Sequence, residues 1–196
     1  MIYLYYPEEE LVDKSKNGDI CAFEKLILSY EKRIFNIAYR ISGNREDAYD
    51  ISQEVCIKIF KNIKTFMGNS AFSTWVYRVT SNVCIDEMRK KNKTIALTIS
   101  SDSNEEFEIP VIDKGRLPDE ILESKEMVEL VRKCISELAP EYKMIITLRD
   151  IYGYSYEEIS EILTTNLGTV KSRLNRARNL LKDKLKKREP FIRQTV

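Results

Sequence analysis

The chain has 196 residues, of which 43% are hydrophobic and 32% are charged, a composition typical of a folded protein with a heavily charged surface. The formal net charge of +1 argues against a uniformly basic nucleic-acid binder, although basic residues dominate 171–188 and acids accumulate in 102–126. Because histidine is absent, the commonest general base and metal ligand are missing, which argues against ordinary enzymatic catalysis.

The four cysteines are far apart and lack the paired spacing of metal sites and redox motifs. They are Cys21, Cys56, Cys84 and Cys134. We expect buried thiols, no metal and no cofactor. The first residues lack the pattern of a signal peptide, and no run approaches the roughly 18 apolar residues of a membrane span. The expected location is therefore the cytoplasm.

Three helices are predicted in the first half of the chain. Apolar residues recur every three or four positions over 23–41, which predicts a long amphipathic helix. A break at 43–44 precedes a second apolar stripe over 48–63, which predicts a helix antiparallel to the first. After a loop at 65–71, a third helix is predicted over about 73–91.

Helical periodicity disappears over 93–117, where acids accumulate and Pro110 and Gly115 interrupt the run. This predicts a linker, either a flexible tether or an extended segment lying against a partner. Pro118 followed by two acids predicts a helix start, and the chain then stays helical without strand signals to Arg188. The expected fold is all-α, with helical domains at 8–92 and 118–188.

A helix-turn-helix is predicted within the second domain. Ser155 and Glu158 form a capping box that opens a short helix. A turn over 164–167 leads to a second helix with an inward stripe from Val170 to Leu181. Its opposite face combines basic and short polar side chains suited to phosphates and base edges, namely Lys171, Ser172, Asn175, Arg176 and Asn179. The alternative, a merely solvated basic helix, does not account for the capped helix and short turn before it.

The letters of this segment, YSYEEISEIL at 154–163 and GTVKSRL at 168–174, resemble region four of extracytoplasmic function sigma factors. The resemblance implies recognition of the minus-thirty-five promoter element. It places three residues near bases, Ser172, Asn175 and Arg176, and three nearer phosphates, Thr169, Lys171 and Arg173. The chain departs from the family pattern at Thr164, where glycine is usual, and a β-branched residue tolerates a left-handed turn poorly.

The segment DAYDISQEV at 47–55 resembles region two of the same family. In that family the equivalent helix docks on the clamp of RNA polymerase. The resemblance implies that charged and amide groups pair there with polymerase, namely those of Asp47, Asp50, Gln53 and Glu54.

The third helix is similar to the minus-ten region of the family, with STWVYRV at 73–79. Arg78, Asn82, Asp86 and Arg89 are spaced to share one face. Promoter opening requires a pocket that holds an unstacked base, and the loop 66–70 with Asn82 could form it. The minus-ten residues implied are Phe66, Asn69, Ser70, Arg78, Asn82, Asp86 and Arg89. We expect Trp75 to belong to the core, and Lys90, Lys91 and Lys93 to hold phosphates with Arg89.

The resemblance as a whole implies a sigma factor that binds core RNA polymerase and promoter DNA without covalent chemistry. It also implies an anti-sigma partner, which in this family is frequently membrane-bound. Two alternatives remain: a free-standing helix-turn-helix regulator, and a metal-dependent nucleic-acid enzyme using acids such as Asp47, Asp50 and Glu54.

Overall fold

A computed structural model describes residues 7–97 and 118–192, and within these ranges the chain forms eight α-helices and no strand. The all-α expectation is confirmed. The helices are α1 (Glu8–Lys16), α2 (Ile20–Ser42), α3 (Arg45–Asn62), α4 (Phe72–Leu97), α5 (Pro118–Ser136), α6 (Pro140–Ile146), α7 (Tyr156–Ile162) and α8 (Leu167–Ile192).

Local capping sets the ends of α2 and the start of α3. Asp19 begins α2 by accepting a hydrogen bond from the backbone amide of Ala22. Gly43 ends it in a left-handed conformation with φ of 74°, which glycine adopts without steric cost. Asn44 then begins α3 because its side-chain oxygen accepts from the amides of Glu46 and Asp47, at 2.7 and 3.0 Å.

The helices α2 and α3 pack antiparallel, as the sequence predicts. The ring of Phe23 near the start of α2 meets that of Phe60 near the end of α3, with centroids 5.0 Å apart. Phe35 meets Tyr49 at 4.8 Å at the other end of the pair. The predicted apolar stripes of both helices face inward, with Ile27 only half-buried.

The helix α4 covers the α2–α3 pair and begins at Phe72, close to the prediction. It continues to Leu97, so the helix extends into the range 93–117 that the sequence predicts as linker. The rest of that range, 98–117, lies outside the described residues. The N-terminal helix α1 is not predicted by the apolar pattern. It is tied to α2 by Glu8, which accepts a hydrogen bond from the Tyr30 hydroxyl.

The second domain contains α5 to α8. The helix α5 begins at Pro118, as predicted. A π-helical turn, Thr147–Ile151, follows α6 and is not predicted by the sequence. The capping box at Ser155 and the outward and inward faces of α8 agree with the predictions.

The two domains pack directly against each other. The helices α6 and α7 lie on α4, and α6 also touches α2. A single cluster of buried residues runs from Ile34 and Val76 in the first domain to Met144 and Ile159 in the second. The apolar interior is therefore continuous across the domain boundary.

The thiols differ in exposure. Cys84 and Cys134 are buried, Cys56 is half-buried, and Cys21 is exposed. The prediction of buried thiols is wrong for Cys21, because it lies in the first turn of α2 outside the inward stripe that starts at Ala22. Burial raises the pKa of the Cys84 thiol to about 12. No helix in the described part of the chain is long and apolar enough to cross a membrane.

Candidate nucleic-acid interface

The short helix α7 supports the helix that carries the predicted DNA-reading side chains. The amide of Glu158 donates to the Ser155 hydroxyl at 3.1 Å, and the amide of Ser155 donates back to the Glu158 carboxylate at 2.7 Å. The Ser155 amide and the Ser155 hydroxyl both donate to the Glu158 carboxylate, and these two hydrogen bonds lower the pKa of Glu158. Ile159 and Ile162 are buried on the inner side. The capping hydrogen bonds and the buried isoleucines therefore fix the position of α7 before the turn that follows.

The turn between α7 and α8 keeps a left-handed residue although glycine is absent. Thr164 adopts φ of 49°. Its neighbour Thr165 holds the turn closed, because its amide donates to the Ser160 carbonyl at 3.0 Å and its carbonyl accepts from the Ser160 hydroxyl. Asn166 caps α8 by accepting from the amide of Thr169 at 2.8 Å. The helix-turn-helix therefore forms with threonine rather than glycine at position 164.

The outer face of α8 is open to solvent. Val170, Leu174 and Ala177 are buried, which turns the opposite side outward. Four predicted minus-thirty-five residues are exposed, namely Lys171, Ser172, Asn175 and Arg176. The other two, Thr169 and Arg173, are half-buried at the edge of this face. We call the four exposed residues the α8 face.

The predicted minus-ten residues of α4 lie along one side of that helix, which we call the α4 face: Arg78, Asn82, Asp86 and Arg89. Asn82 and Asp86 are exposed. Arg78 is half-buried, and its Nε donates to the Glu161 carbonyl of α7 at 3.0 Å.

Arg89, at the other end of the α4 face, donates from Nε to the Glu141 carboxylate of α6 at 2.8 Å. Burial alone would raise the pKa of Glu141. A backbone hydrogen bond and the Arg89 guanidinium outweigh that effect, so the pKa lies below its ordinary value.

The loop before α4 divides into an inner and an outer part. Phe66 is half-buried, and its ring meets those of Phe72 and Trp75 at 5.3 and 5.6 Å. Phe72 is buried, and Trp75 is partly buried against the core, in agreement with the core interpretation of Trp75. Asn69 is exposed and Ser70 is half-buried. The polar part of the predicted base pocket therefore faces solvent, whereas its aromatic part packs inward.

The predicted polymerase-binding residues lie on the solvent side of α3. Asp50 and Gln53 are exposed. Asp47 is half-buried and pairs with Lys91 of α4, and Glu54 pairs with Lys58 at 3.5 Å. The three acids line a groove between α3 and α4 that Glu87, Lys90 and Lys91 complete. Acids and lysines predicted to serve different ligands thus share one groove.

Exposed apolar side chains beside these acids are a feature that the sequence reasoning missed. Tyr49, Ile57 and Phe60 are 49%, 46% and 50% exposed, far more than the buried stripe of the same helix. They can be recognised in the sequence as large apolar residues that lie outside the inward stripe of α3. A surface that joins such residues to acids is suited to protein binding rather than to DNA.

No group of three or more cysteine or acidic side chains in the described ranges could hold a metal ion. Asp47, one of the acids considered for such a site, is paired with a lysine instead.

Two family descriptions match the chain, one in each domain. Sigma-70 region 2 matches residues 26–94, and Sigma-70, region 4 matches residues 129–181. The first range contains α3 and the α4 face, and the second contains the helix-turn-helix. The three predicted surfaces, on α3, α4 and α8, therefore lie inside matched segments.

Similar proteins match nearly the whole chain. The ECF RNA polymerase sigma factor SigW of Bacillus subtilis is 34% identical over 89% of this chain and 95% of its own length. The ECF RNA polymerase sigma-E factor of Escherichia coli is 31% identical over 95% of this chain and 97% of its own. Among solved structures, the sigma factor RpoE of Bartonella quintana, in complex with the anti-sigma factor NepR, has a TM-score of 0.64 at 24% identity. That similarity covers 84% of this chain and 96% of the other and concerns the fold.

Proposed function

This chain belongs to the extracytoplasmic function family of RNA polymerase sigma factors, and from that membership we propose how its surfaces divide promoter recognition. As a sigma factor it binds core RNA polymerase and directs promoter-specific initiation. We propose a region-two domain at 8–92, a linker at 93–117 and a region-four domain at 118–188. The chain acts by binding alone, and the polymerase supplies the chemistry.

The first domain anchors the polymerase through the solvent side of α3. Asp47, Asp50, Gln53 and Glu54 supply carboxylates and an amide that can pair with cations across an interface. The exposed Tyr49, Ile57 and Phe60 add apolar contact area next to them. The observation that carries this assignment is that acids and large apolar side chains are exposed on the same solvent side of α3, because aromatic anchors with charged neighbours are typical of protein interfaces.

The first domain also holds the melted minus-ten strand. The α4 face offers two guanidinium groups for phosphates and the Asn82 amide for a base edge. The polar side chains of the loop, exposed Asn69 and half-buried Ser70, complete a pocket for an unstacked base, while Phe66 shapes its floor from the aromatic cluster beneath.

The second domain reads the minus-thirty-five duplex with α8. Arg176, Asn175 and Ser172 are exposed on the side opposite the buried stripe and can reach base edges in a major groove. Thr169, Lys171 and Arg173 hold neighbouring phosphates, with Thr169 near the positive end of the helix dipole. Because one chain joins the two DNA-binding surfaces, it sets the spacing of the promoter elements that both surfaces can bind together.

The two alternatives fit less of the molecule. A free-standing helix-turn-helix regulator uses α8 but gives no role to the acidic and aromatic side of α3, and family membership disfavours it. A metal-dependent enzyme needs a cluster of ligands, whereas Asp47 and Glu54 are each paired with a lysine.

We propose in addition that an anti-sigma protein, either membrane-bound or free, regulates the factor in the cytoplasm. The solved relative from Bartonella quintana was crystallised with such a partner. A pull-down from unstressed cells should recover both polymerase and an inhibitor. Recovery of polymerase alone would contradict regulation by an inhibitor.

Site-specific photocrosslinking tests the assignments one by one. A photoreactive residue at Gln53 should crosslink to core polymerase, one at Asn82 to the non-template strand of an open promoter, and one at Asn175 to the minus-thirty-five duplex. Exposed Asp13 of α1 gives the control position, where no DNA crosslink is expected. A crosslink from Asn82 to duplex DNA but never to the melted strand would contradict the minus-ten assignment.

A further inference from the structure

The loop before α4 exposes a large apolar side chain that the minus-ten assignment does not use. Met67 is 82% exposed, whereas the next most exposed large apolar side chain that the structure describes, Leu28, is 64% exposed. Phe66 on one side of Met67 packs against the core, and Asn69 on the other side is turned to solvent. Because the hydration of an apolar side chain is unfavourable, a ligand that covers Met67 gains free energy.

The residues before Met67 hold it at a fixed place. A short 3₁₀ helix, Ile63–Thr65, follows α3, and the Phe66 amide donates to the Ile63 carbonyl at 3.1 Å. The Phe66 ring lies against two aromatic rings of α4, with centroids 5.3 and 5.6 Å away. Met67 follows this anchored residue directly. Its side chain is therefore presented from a constrained backbone, which lowers the entropy lost when it binds.

The space beside Met67 is open. Gly68 adopts a left-handed conformation with φ of 76°, and a β-carbon at this position would meet no atom within 4 Å. The chain thus turns between Met67 and the polar side chains of Asn69 and Ser70 and leaves room next to the turn. Lys64, exposed three residues before Met67, adds a cation for backbone phosphate. The loop therefore combines an apolar tip, polar groups and a cation within a few residues.

A strand with one base displaced is a ligand that fits this combination. Removing a base leaves a gap in the stack, and restacking competes with the pocket that holds the displaced base. Proteins that unstack DNA fill such gaps with apolar side chains, methionine among them. A thioether side chain is unbranched and polarisable, so it can pack against the faces of bases without reading their edges.

We propose that Met67 is the wedge of the minus-ten site: its side chain enters the gap that the displaced base leaves and packs against the bases on either side. Asn69, Ser70 and Asn82 hold the displaced base itself. Met67 then contributes to promoter opening rather than to the choice of one base. The inference rests on the proposed placement of the melted strand at this loop. A solitary exposed methionine is the alternative, and it predicts no effect on DNA.

Three substitutions separate the apolar character of Met67 from its length. Met67→Ala removes the side chain beyond the β-carbon, Met67→Gln keeps the length but is polar, and Met67→Leu keeps an apolar side chain of similar volume. Leu28→Ala is the matched control, since it removes an exposed apolar side chain from α2. The emission of Trp75, the one tryptophan of the chain, checks that each free variant keeps the aromatic cluster beneath the loop.

Opening is measured with the complex of the chain and core polymerase on a promoter found by run-off transcription. The fluorescence of 2-aminopurine placed in the minus-ten element rises as that element unstacks. We expect Met67→Ala and Met67→Gln to lower the equilibrium constant for opening by about three- to tenfold, the range of a contact between sulfur and an aromatic ring. Met67→Leu should lose less than about twofold, and Leu28→Ala should leave opening unchanged.

Single abasic sites across the minus-ten element distinguish the wedge from the pocket. Asn82→Ala should lose its effect at the one position whose base the pocket holds, because the Asn82 amide then has no base edge to contact. Met67→Ala should keep its effect at that same position, because the wedge contacts the flanking bases.

Equal opening by Met67→Ala and the parent chain overturns the inference, as does equal opening by Met67→Gln and Met67→Leu. An effect of Met67→Ala that disappears at the same abasic position as that of Asn82→Ala also overturns it, since Met67 would then contact the displaced base. Normal opening by Asn82→Ala on the intact promoter contradicts the proposed minus-ten assignment instead, so the two failures are distinguishable.

Discussion

The α4 face and the α8 face carry similar chemistry, with guanidinium and amide groups along one side of a helix, yet among the described residues only the α4 face is hydrogen-bonded to the other domain. Arg78 and Arg89 are bound by oxygens of the second domain, whereas Arg176 and Asn175 face solvent. Both arginines of the α4 face are thus satisfied by a carbonyl or a carboxylate of the protein itself. The difference teaches that the periodicity of a helix predicts which face turns outward but not whether the cations on that face have a partner elsewhere in the chain.

The solvent side of α3 is a third surface, and reversing its charges should have the largest effect on function. Asp50→Lys with Glu54→Lys should weaken core polymerase binding by about 30-fold or more, because truncating or reversing charges in an interface costs roughly 2 to 5 kcal/mol. The control is Glu9→Lys with Asp13→Lys, which makes the same charge change on α1. Binding is measured by titrating labelled factor with core polymerase, and equal affinity in both double variants would exclude α3 as the anchor.

The α8 face is tested by Arg176→Ala. Loss of a guanidinium that reads a base should weaken use of minus-thirty-five promoters by about 1 to 3 kcal/mol and relax preference at one base position. Lys186→Ala removes one charge farther along the same helix and should weaken binding without changing preference. Promoter selection from a randomised library provides the measurement. Identical preferences for the two variants would place recognition on other residues.

The turn that aims α8 is tested by Thr164→Gly. Relief of the left-handed conformation, worth roughly 1 to 2 kcal/mol, outweighs the extra entropy that glycine loses on folding, so the melting temperature should rise by about 2 °C. Thr165→Gly, at the next position, should lower it. A lower melting temperature for Thr164→Gly would contradict the positive φ at that residue.

The smallest expected effect concerns the groove between α3 and α4. Lys91→Ala removes an exposed partner of Asp47, so the free energy of unfolding should fall by less than about 1 kcal/mol. Lys61→Ala, on the exposed side of α3, should change it less. Urea titration separates the two. A loss of several kcal/mol would mean that this ion pair holds the first domain together.

The sequence predicts the helices well where their inward stripe is long or their cap is explicit. The stripe from Phe23 to Ile41 and the capping box at Ser155 and Glu158 each determine an element from residues a few positions apart. The π-helical turn at Thr147–Ile151 and helix α1 lack such a local signature, because their conformation depends on packing against other helices.

The site residues also differ in how much of their environment the sequence predicts. Exposure of Asn175 and Arg176 follows from the periodicity of one helix, so the sequence predicts it. The engagement of Arg78 by Glu161 joins residues 83 positions apart, and no pattern within α4 indicates it. The exposed Tyr49 and Phe60 could have been found from their position outside the inward stripe of α3.

Run-off transcription with core RNA polymerase on genomic fragments tests the central claim most directly. The account predicts discrete transcripts that depend on the added chain and start downstream of two shared elements at a fixed spacing. Altering either element, or inserting five base pairs between them, should abolish the transcripts. Transcripts that survive changes of spacing, or none at all with polymerase visibly bound, would contradict a factor that grips the promoter with both domains.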